Sequence, residues 1–207
     1  MTDNDDVRKR WEQEFTRGDW EYLKSEHQIP RYAVLCSYMK HLGRPISLLD
    51  VGCGEGLILN FCGREWLPNY WGLDISQTAL DRITSLSSAD RLICSSLEDF
   101  STDRKFDVIL FNEVLYYTAD PFSHLERFRD YLKPGGVFLI STCKQSGWFS
   151  SHDCSITSVL RFWRSPINRS MRSVWRLVDR CKWKRLDEVV IRNISRKTSY
   201  RIALIQP

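Results

Sequence analysis

The stretch SLLDVGCGEGLILNFC, residues 47–62, constrains the fold of this chain more than any other segment. A short apolar run ends at Asp50, glycines then alternate with other residues, and a second apolar run follows. Glycine adopts positive φ angles and lets a ligand or another backbone approach closely. The pattern therefore predicts a strand that turns sharply into a helix, with Gly52, Gly54 and Gly56 forming a bare stretch of backbone at the turn.

Strand and helix patterns alternate through the rest of the chain. Apolar runs predict strands at 47–51, 70–74, 91–94, 106–111 and 137–142, and helical spacing predicts helices at 5–17, 29–43, 76–86 and 121–132. The sequence KPGG, between the last helix and the last strand of that set, predicts a turn. A helix at 168–182 then precedes two strands without a helix between them, which predicts an antiparallel hairpin. The alternation as a whole indicates an α/β fold with a parallel sheet.

Composition narrows the class of protein further. The chain has 207 residues with 43% hydrophobic residues, enough for one domain with a buried core. Its seven cysteines are dispersed without a C-x-x-C pair, and its four histidines are also dispersed. We therefore predict reduced thiols, no disulfide framework and no metal site. No apolar run approaches the ~18 residues of a membrane span, and the predicted location is the cytoplasm.

Carboxylates around the glycines indicate the chemistry of the ligand. Asp50 precedes the glycines and Glu55 lies among them, so a pyrophosphate at this turn would be repelled. Asp50 could accept a hydrogen bond from an ammonium group or orient the loop amides through water. Asp74, after the second strand, could accept hydrogen bonds from both hydroxyls of a ribose. S-adenosylmethionine meets both conditions.

Four segments in order, LLDVGCGEG, YWGLDIS, FDVILFNEVLYYTADP and LKPGGVFLIST, resemble the class I S-adenosylmethionine-dependent methyltransferase family over residues 45–143. The resemblance implies a doubly wound, mostly parallel seven-stranded sheet with an antiparallel last strand and helices on both faces. Since the sequence shows no internal repeat, low-complexity tract or obvious linker, we expect a single domain over 1–207. Within it, residues 1–43 form an N-terminal helical cap, 44–143 the cofactor-binding core, and 144–207 an acceptor-side segment and C-terminal hairpin.

The resemblance also assigns cofactor-binding residues. By this resemblance, the glycine turn binds the methionine part of the cofactor, and residues of the other motifs bind the ribose, the adenine and the methyl group. They are Asp50, Gly52, Gly54 and Gly56 for the methionine part, Asp74 for the ribose, Ile75, Ser96 and Leu97 for adenine, and Asn112 beside the reactive methyl group. Ser96 stands where relatives carry an acid that contacts adenine. Trp20 and Arg31 could cover the cofactor, with Arg31 pairing with its carboxylate, or could be packing and surface residues.

Three residues are candidates for the catalytic base. Tyr117 occupies a position where many relatives have histidine, although a tyrosine with a pKa near ~10 is a poor base and could instead contact the acceptor. His152 has a suitable pKa but lies in a segment without a clear pattern. Glu113 follows the fourth strand, where it could equally face solvent or cap a helix.

The predicted helix 168–182 carries a row of cations: Arg169, Arg172, Arg176 and Arg180. In the simplest interpretation its apolar face packs on the sheet and the arginines face water. Alternatively, the row contacts phosphate groups or a membrane surface. We expect an N- or O-methyltransferase of a small molecule, such as a sugar, a glycan precursor or a secondary metabolite, which could be anionic. The alternatives are an RNA methyltransferase and a non-catalytic scaffold, and the motif NEVLYY disfavours the first.

Overall fold

A computed structural model describes residues 3–84, 86–145, 174–193 and 198–207. Its centre is one seven-stranded sheet in the order β3-β2-β1-β4-β5-β7-β6. The strands are β1 Ser47–Val51, β2 Asn69–Asp74, β3 Arg91–Cys94, β4 Phe106–Asn112, β5 Leu132–Gln145, β6 Lys184–Asn193 and β7 Thr198–Gln206. β1 to β5 pair in parallel, and β7 is antiparallel to both β5 and β6. The predicted mostly parallel sheet with an antiparallel last strand is confirmed.

Two longer helices precede the first strand, and shorter helices lie between later strands. They are α1 Asp3–Arg17, α2 Ile29–His41, α3 Ile58–Cys62, α4 Gln77–Leu80, α5 Pro121–Arg129 and α6 at 174–180, with 3-10 turns at Glu21–Lys24, Glu26–Gln28 and Leu115–Tyr117. α4 is much shorter than the predicted helix over 76–86. The backbone amide of Ala79 donates to the Ser76 hydroxyl, so Ser76 caps this helix as the sequence predicts.

The helices cover both faces of the sheet. On one face α2 and α3 pack with Leu48 of β1, and on the other α5 packs with Leu49, the next residue of the same strand. Both leucines are completely buried. Since successive side chains of a strand point to opposite faces, coverage of both faces explains why the parallel strands are continuous apolar runs.

The turn predicted for KPGG is wrong, because β5 already begins at Leu132 and includes these residues. Leu132 pairs with Phe106, and the register shifts before Val137 pairs with Val108. Gly135 has a φ of 76° in this interval. A glycine at positive φ lets the strand bulge and rejoin its partner, so a turn-like sequence is accommodated within a strand.

α2 is part of the core layer, whereas α1 lies at the carboxyl ends of β1, β2 and β3. Of the predicted helix 168–182, the described part is α6, where Val174, Trp175 and Val178 are buried against the sheet. Arg176 and Arg180 are exposed, and the other two arginines of the row lie outside the described residues. Among the described residues, we find no helix with the length and hydropathy that a membrane crossing requires.

Candidate functional site

The polar residues singled out in the sequence meet where neighbouring parallel strands end. Asp50 is the penultimate residue of β1, Asp74 is the last residue of β2, and Asn112 is the last residue of β4. β1 pairs with both β2 and β4, so these three side chains belong to one edge of the sheet. Ligands of open α/β sheets bind at this edge.

The glycine turn is fixed by hydrogen bonds to the end of β2. The amide of Gly52 donates to the carbonyl oxygen of Leu73 at 2.7 Å, and the amide of Gly54 donates to Asp74 Oδ2 at 2.8 Å. Gly52 has a φ of 68° and Gly54 a φ of 53°. Such φ values are strained for residues with a β-carbon. The backbone conformation of the turn therefore explains why glycine occupies these two positions.

Protein side chains fill much of the space that the glycines leave. A β-carbon on Gly52 would lie 2.5 Å from Val114 Cγ2, and one on Gly56 would lie 3.0 Å from Ile83 Cδ1. Above Gly54, the Phe15 ring lies 3.5 Å from the equivalent position. Because these glycines have no side chains, Phe15 of α1, Ile83 after α4 and Val114 after β4 can pack onto the loop.

Asp74 is buried, and its two carboxylate oxygens accept from different amides. Oδ2 accepts from Gly54 N, as above, and Oδ1 accepts from Ser76 N at 2.9 Å. Burial raises the pKa of Asp74, and the backbone hydrogen bonds only partly oppose this. Each carboxylate oxygen has two lone pairs, so both can accept one further hydrogen bond.

Asp50 is also buried, and its partner is the hydroxyl of Tyr70, which donates to Oδ2 at 3.0 Å. Burial raises the pKa of Asp50 to about 7. Among the described residues, no cationic side chain contributes to this environment. A cationic hydrogen-bond donor placed here would favour the ionised form of this carboxyl group.

Arg31 provides a buried positive charge close to the end of β4. It is 1% exposed, and its Nη1 donates to Asn112 Oδ1 at 2.7 Å. Its guanidinium carbon lies 4.7 Å from the ring centre of Tyr32 and 5.1 Å from that of Tyr200. Nε and Nη2 are buried without an acceptor in the described part of the chain. Buried guanidinium groups are normally paired, so these two donors fit an anionic group of a ligand.

Glu113 connects the end of β4 to β5. Its Oε1 accepts from Ser141 Oγ at 2.9 Å, and its Oε2 accepts from Cys143 N at 2.8 Å and from the Tyr116 hydroxyl at 2.9 Å. Glu113 has a φ of 62°, which is unusual for a residue other than glycine. The carboxylate therefore fixes a strained turn, and its catalytic role stays a prediction.

Tyr117 lies in the 3-10 turn after Glu113. It is half-buried, and its ring meets that of Trp11 edge-on at 4.8 Å between centroids. Burial raises the pKa of Tyr117 to about 12, so even less of the phenolate that could accept a proton is present at neutral pH. His152 lies outside the described residues.

On the adenine side, the structure places Ile75 and Leu97 half-buried after β2 and β3. The hydroxyl of Ser96 donates to Asp99 Oδ2 at 2.7 Å and accepts from Asp99 N at 3.1 Å. These bonds engage Ser96 within its own turn. Trp20 stacks on Trp11 with 5.4 Å between ring centroids, and its buried Nε1 has no acceptor among the described residues.

Sequence reasoning missed the side chains that fasten α1 over this edge. Glu12 accepts hydrogen bonds from the Ser76 hydroxyl at 2.9 Å and from Gln77 N at 2.6 Å. Arg82 donates to the carbonyl oxygen of Phe15 at 2.9 Å. These contacts join residues more than sixty positions apart, and no local pattern signals them. Within the described ranges, no cluster of three or more His, Cys, Asp or Glu residues could hold a metal ion.

The fold and the glycine turn define a class of α/β proteins that bind a nucleoside-containing cofactor at the carboxyl ends of the strands. The family comparison is more specific. The model of the family described as "Methyltransferase domain" matches residues 20–186, and the chain belongs to this family.

Curated relatives are similar over about half of the chain. The malonyl-[acyl-carrier protein] O-methyltransferase of Priestia megaterium is 26% identical over 112 residues, covering 53% of this chain and 41% of that protein. The ubiquinone biosynthesis O-methyltransferase of Actinobacillus pleuropneumoniae is 30% identical over 110 residues, covering 48% and 47%. The chain thus spans less than half the length of these two relatives.

Solved structures are similar over nearly the whole chain. N-methyltransferase NodS from Bradyrhizobium japonicum WM9, in complex with S-adenosyl-L-homocysteine, has a TM-score of 0.71 and 17% identity, covering 94% of this chain and 97% of that one. Magnesium protoporphyrin IX methyltransferase from Synechocystis PCC 6803, with bound S-adenosylmethionine, has a TM-score of 0.69 and 10% identity, covering 100% and 98%. At these identities the likeness shows the shared fold.

Proposed function

We propose that this chain is an S-adenosylmethionine-dependent methyltransferase that acts on a nitrogen or oxygen atom of a small molecule. The observation that carries the proposal is the set of buried groups at the carboxyl edge of the sheet. In the part of the chain that the structure describes, Asp50 has no cationic partner, and Arg31 has two donors without an acceptor. Together with Asp74 they match the three polar parts of the cofactor: ammonium, carboxylate and ribose.

Each part of the cofactor has a partner in this arrangement. The ammonium group would donate to Asp50, the carboxylate would accept from Arg31 Nε and Nη2, and the ribose hydroxyls would donate to Asp74. Gly52, Gly54 and Gly56 would present backbone to the methionine part. Ile75 and Leu97 would flank adenine, and Asn112 would lie close to the methyl group while it orients Arg31. Membership of the methyltransferase-domain family supports these assignments.

The cofactor supplies a methyl group on a positively charged sulfur, and the chain must align the acceptor with it. Alignment at roughly 3 Å and removal of a proton are the main tasks of the protein. Trp11, Trp20 and Tyr117 form an aromatic wall that could enclose an apolar or sugar face. In our proposal Tyr117 contacts the acceptor, and His152 and Glu113 stay candidates for the base.

Relatives and structural neighbours with named activities support a small-molecule acceptor. They include enzymes named for malonyl-[acyl-carrier protein], ubiquinone biosynthesis and 1,6-didemethyltoxoflavin. We propose a small metabolite, a sugar or a glycan precursor as acceptor, with catalysis in the cytoplasm. The exposed Arg176 and Arg180 favour an anionic acceptor, and they also support RNA as the second candidate substrate.

Calorimetric titration with S-adenosylhomocysteine tests the proposal, with NADH as a control ligand. Wild type should bind S-adenosylhomocysteine at micromolar concentrations and should not bind NADH. Asp74→Ala should lose about 1.5–3 kcal/mol of binding free energy, the scale for hydrogen bonds to a charged group. A wild type that binds neither ligand would contradict the proposal and favour the scaffold alternative.

A further inference from the structure

Glu55 lies in the cofactor loop, between Gly54 and Gly56, and its carboxylate is paired with two cations. Lys24 Nζ lies 2.6 Å from Oε2, and Arg82 Nη1 lies 2.7 Å from Oε1. The Glu55 side chain is only 9% exposed. Neither partner is local, because Lys24 precedes the loop in a separate turn and Arg82 follows α4.

The two cations belong to segments that cover the loop. Lys24 ends the 3-10 turn Glu21–Lys24, and its ammonium group also pairs with Glu21 at 2.9 Å. Arg82 uses its second amino group to hold the carbonyl oxygen of Phe15, whose ring lies over Gly54. One carboxylate in the loop therefore connects it to the turn after α1 and, through Arg82, to the end of α1.

The two cations stabilise the ionised form of the Glu55 carboxylate. Burial would raise the pKa of Glu55, but the pairs with Lys24 and Arg82 outweigh burial and hold the pKa below its usual value. The carboxylate is therefore ionised at neutral pH. Since Glu55 is nearly buried, salt weakens these pairs less completely than fully exposed ones, yet both cations remain partly accessible to ions.

A second attachment of α1 lies at the start of α4. Glu12 of α1 binds the Ser76 hydroxyl and Gln77 N directly after the proposed ribose site. α1 is thus attached at both ends of α4, through Glu12 at its start and through the Phe15 carbonyl oxygen and Arg82 at its end. A ligand that lies along the loop would be enclosed beneath α1.

We propose that Glu55 is a positioning residue for cofactor binding, which holds α1 and the turn Glu21–Lys24 across the cofactor loop by its ion pairs with Lys24 and Arg82. This inference rests on the proposed function. It implies that the cofactor dissociates when these pairs open, and that ionic strength and the charge at residue 55 set the dissociation rate.

The first test needs no ligand. Hydrogen exchange of the backbone amides of residues 10–24 is measured in wild type and Glu55→Gln at 50 mM and 500 mM NaCl. Glu55→Gln should exchange about 3- to 10-fold faster at low salt, and wild type should approach the variant at high salt. Asp19→Asn is the matched control, because it removes an exposed pair with Arg17 in the same region. Its exchange should stay near that of wild type.

The second test measures S-adenosylhomocysteine dissociation by stopped-flow fluorescence. Glu55→Gln and Lys24→Met should each accelerate dissociation by about 3- to 10-fold, and the double variant should be no faster than the faster single variant. Glu55→Asp, which keeps the charge, should restore part of the difference. Circular dichroism establishes that each variant is folded.

The outcomes separate this inference from the proposed function. Unchanged exchange and unchanged dissociation in a Glu55→Gln protein that binds S-adenosylhomocysteine would overturn the role of Glu55 alone. Salt-independent dissociation from wild type would also overturn it. A wild type that does not bind S-adenosylhomocysteine would contradict the proposed function, and with it the cofactor role of Glu55, even if Glu55→Gln accelerated exchange.

Discussion

Asp107 and Asp50 are buried aspartates on neighbouring parallel strands, one near the amino end of β4 and the other near the carboxyl end of β1. Asp107 accepts from Arg44 Nη2 at 2.7 Å, Lys133 Nζ at 2.8 Å, and both the amide and the hydroxyl of Ser47. These partners outweigh burial and hold the pKa of Asp107 well below its usual range. Asp50 has Tyr70, and its pKa is raised to about 7.

The same contrast extends to other charged groups. At the amino edge, Asp90 accepts from Arg64 and from the amides of Tyr70 and Ser87. At the carboxyl edge, the buried Arg31 bonds Asn112 and has two further donors for which the described residues provide no acceptor. Asp107 and Asp90 are neutralised by cations of the protein itself, whereas Asp50 and Arg31 at the carboxyl edge retain bonding capacity among the described residues. We infer that the first edge contributes to stability and the second to ligand binding.

The largest expected effect is on stability at the amino edge. Asp107→Asn should lower the free energy of unfolding by about 3 kcal/mol at pH 7, because it weakens several charge-assisted hydrogen bonds at once. Urea denaturation measures this loss, and the affinity for S-adenosylhomocysteine should stay within about twofold.

The pH dependence of that loss has a defined sign. The folded-state pKa of Asp107 is lowered, so its stabilisation is present above the unfolded-state pKa of about 3.9 and is lost as the pH falls. The difference between wild type and Asp107→Asn should therefore shrink below about pH 4. A difference that stays constant down to pH 2 would contradict this explanation.

The next effect is on binding at the carboxyl edge. Arg31→Met should weaken S-adenosylhomocysteine binding by about 2 kcal/mol, roughly 30-fold, because the cofactor carboxylate loses two donors. The stability should change by less than about 1 kcal/mol. Arg44→Met is the matched control, because it removes an arginine that pairs with Asp107 and should reduce stability without reducing affinity. Equal losses of affinity in both variants would erase the contrast between the edges.

A tenfold effect is expected from the protonation of Asp50. Its folded pKa of about 7 lies above the unfolded value of about 3.9. The stability from this group is therefore fully present below about pH 4 and is lost as the pH rises through 7. Binding of an ammonium group requires the ionised form. Affinity for S-adenosylhomocysteine should rise about fivefold from pH 6 to pH 7 and about twofold more above pH 7 before it levels off, and calorimetry of Asp50→Asn should give a flat profile.

The smallest expected effect concerns Ser96, which lies at the carboxyl edge but is already engaged by Asp99. Ser96→Ala should reduce stability by about 1 kcal/mol through loss of a turn-capping hydrogen bond. Affinity should remain within about twofold, as for a residue at the amino edge. A tenfold loss of affinity in calorimetry would instead support the adenine contact that the family resemblance implies.

The sheet could be predicted from sequence because each strand is a local apolar run and both faces are covered. The glycine turn, Asp74 and the Ser76 cap are also local signals. The KPGG segment was mispredicted because Gly135 serves a bulge within β5, and the same residues are equally compatible with a turn. Local sequence does not distinguish a turn from a bulge, because the register in which β5 pairs with β4 decides between them.

The partners of the site residues were less predictable. From sequence, Glu113 could equally face solvent or cap a helix. In the structure, Ser141 and Cys143 of β5 donate hydrogen bonds to its carboxylate. From sequence, Glu55 is expected to repel a phosphate ligand. In the structure, its charge is neutralised by Lys24 and Arg82, which belong to distant segments of the chain. Which side chains pair across the fold depends on tertiary packing, which residue spacing does not predict. The sequence therefore identified the site residues but not their partners.

The strand order has a further consequence for how the chain folds. β7 is the last strand in sequence, but it lies between β5 and β6 and pairs with both. During synthesis β5 and β6 therefore expose unpaired backbone edges until Thr198–Gln206 has left the ribosome. Completion of the sheet is a late event, governed by contacts such as Phe138 with Ile205 that are far apart in sequence. Premature termination before β7 would yield an aggregation-prone chain, even though every proposed cofactor ligand had already been translated.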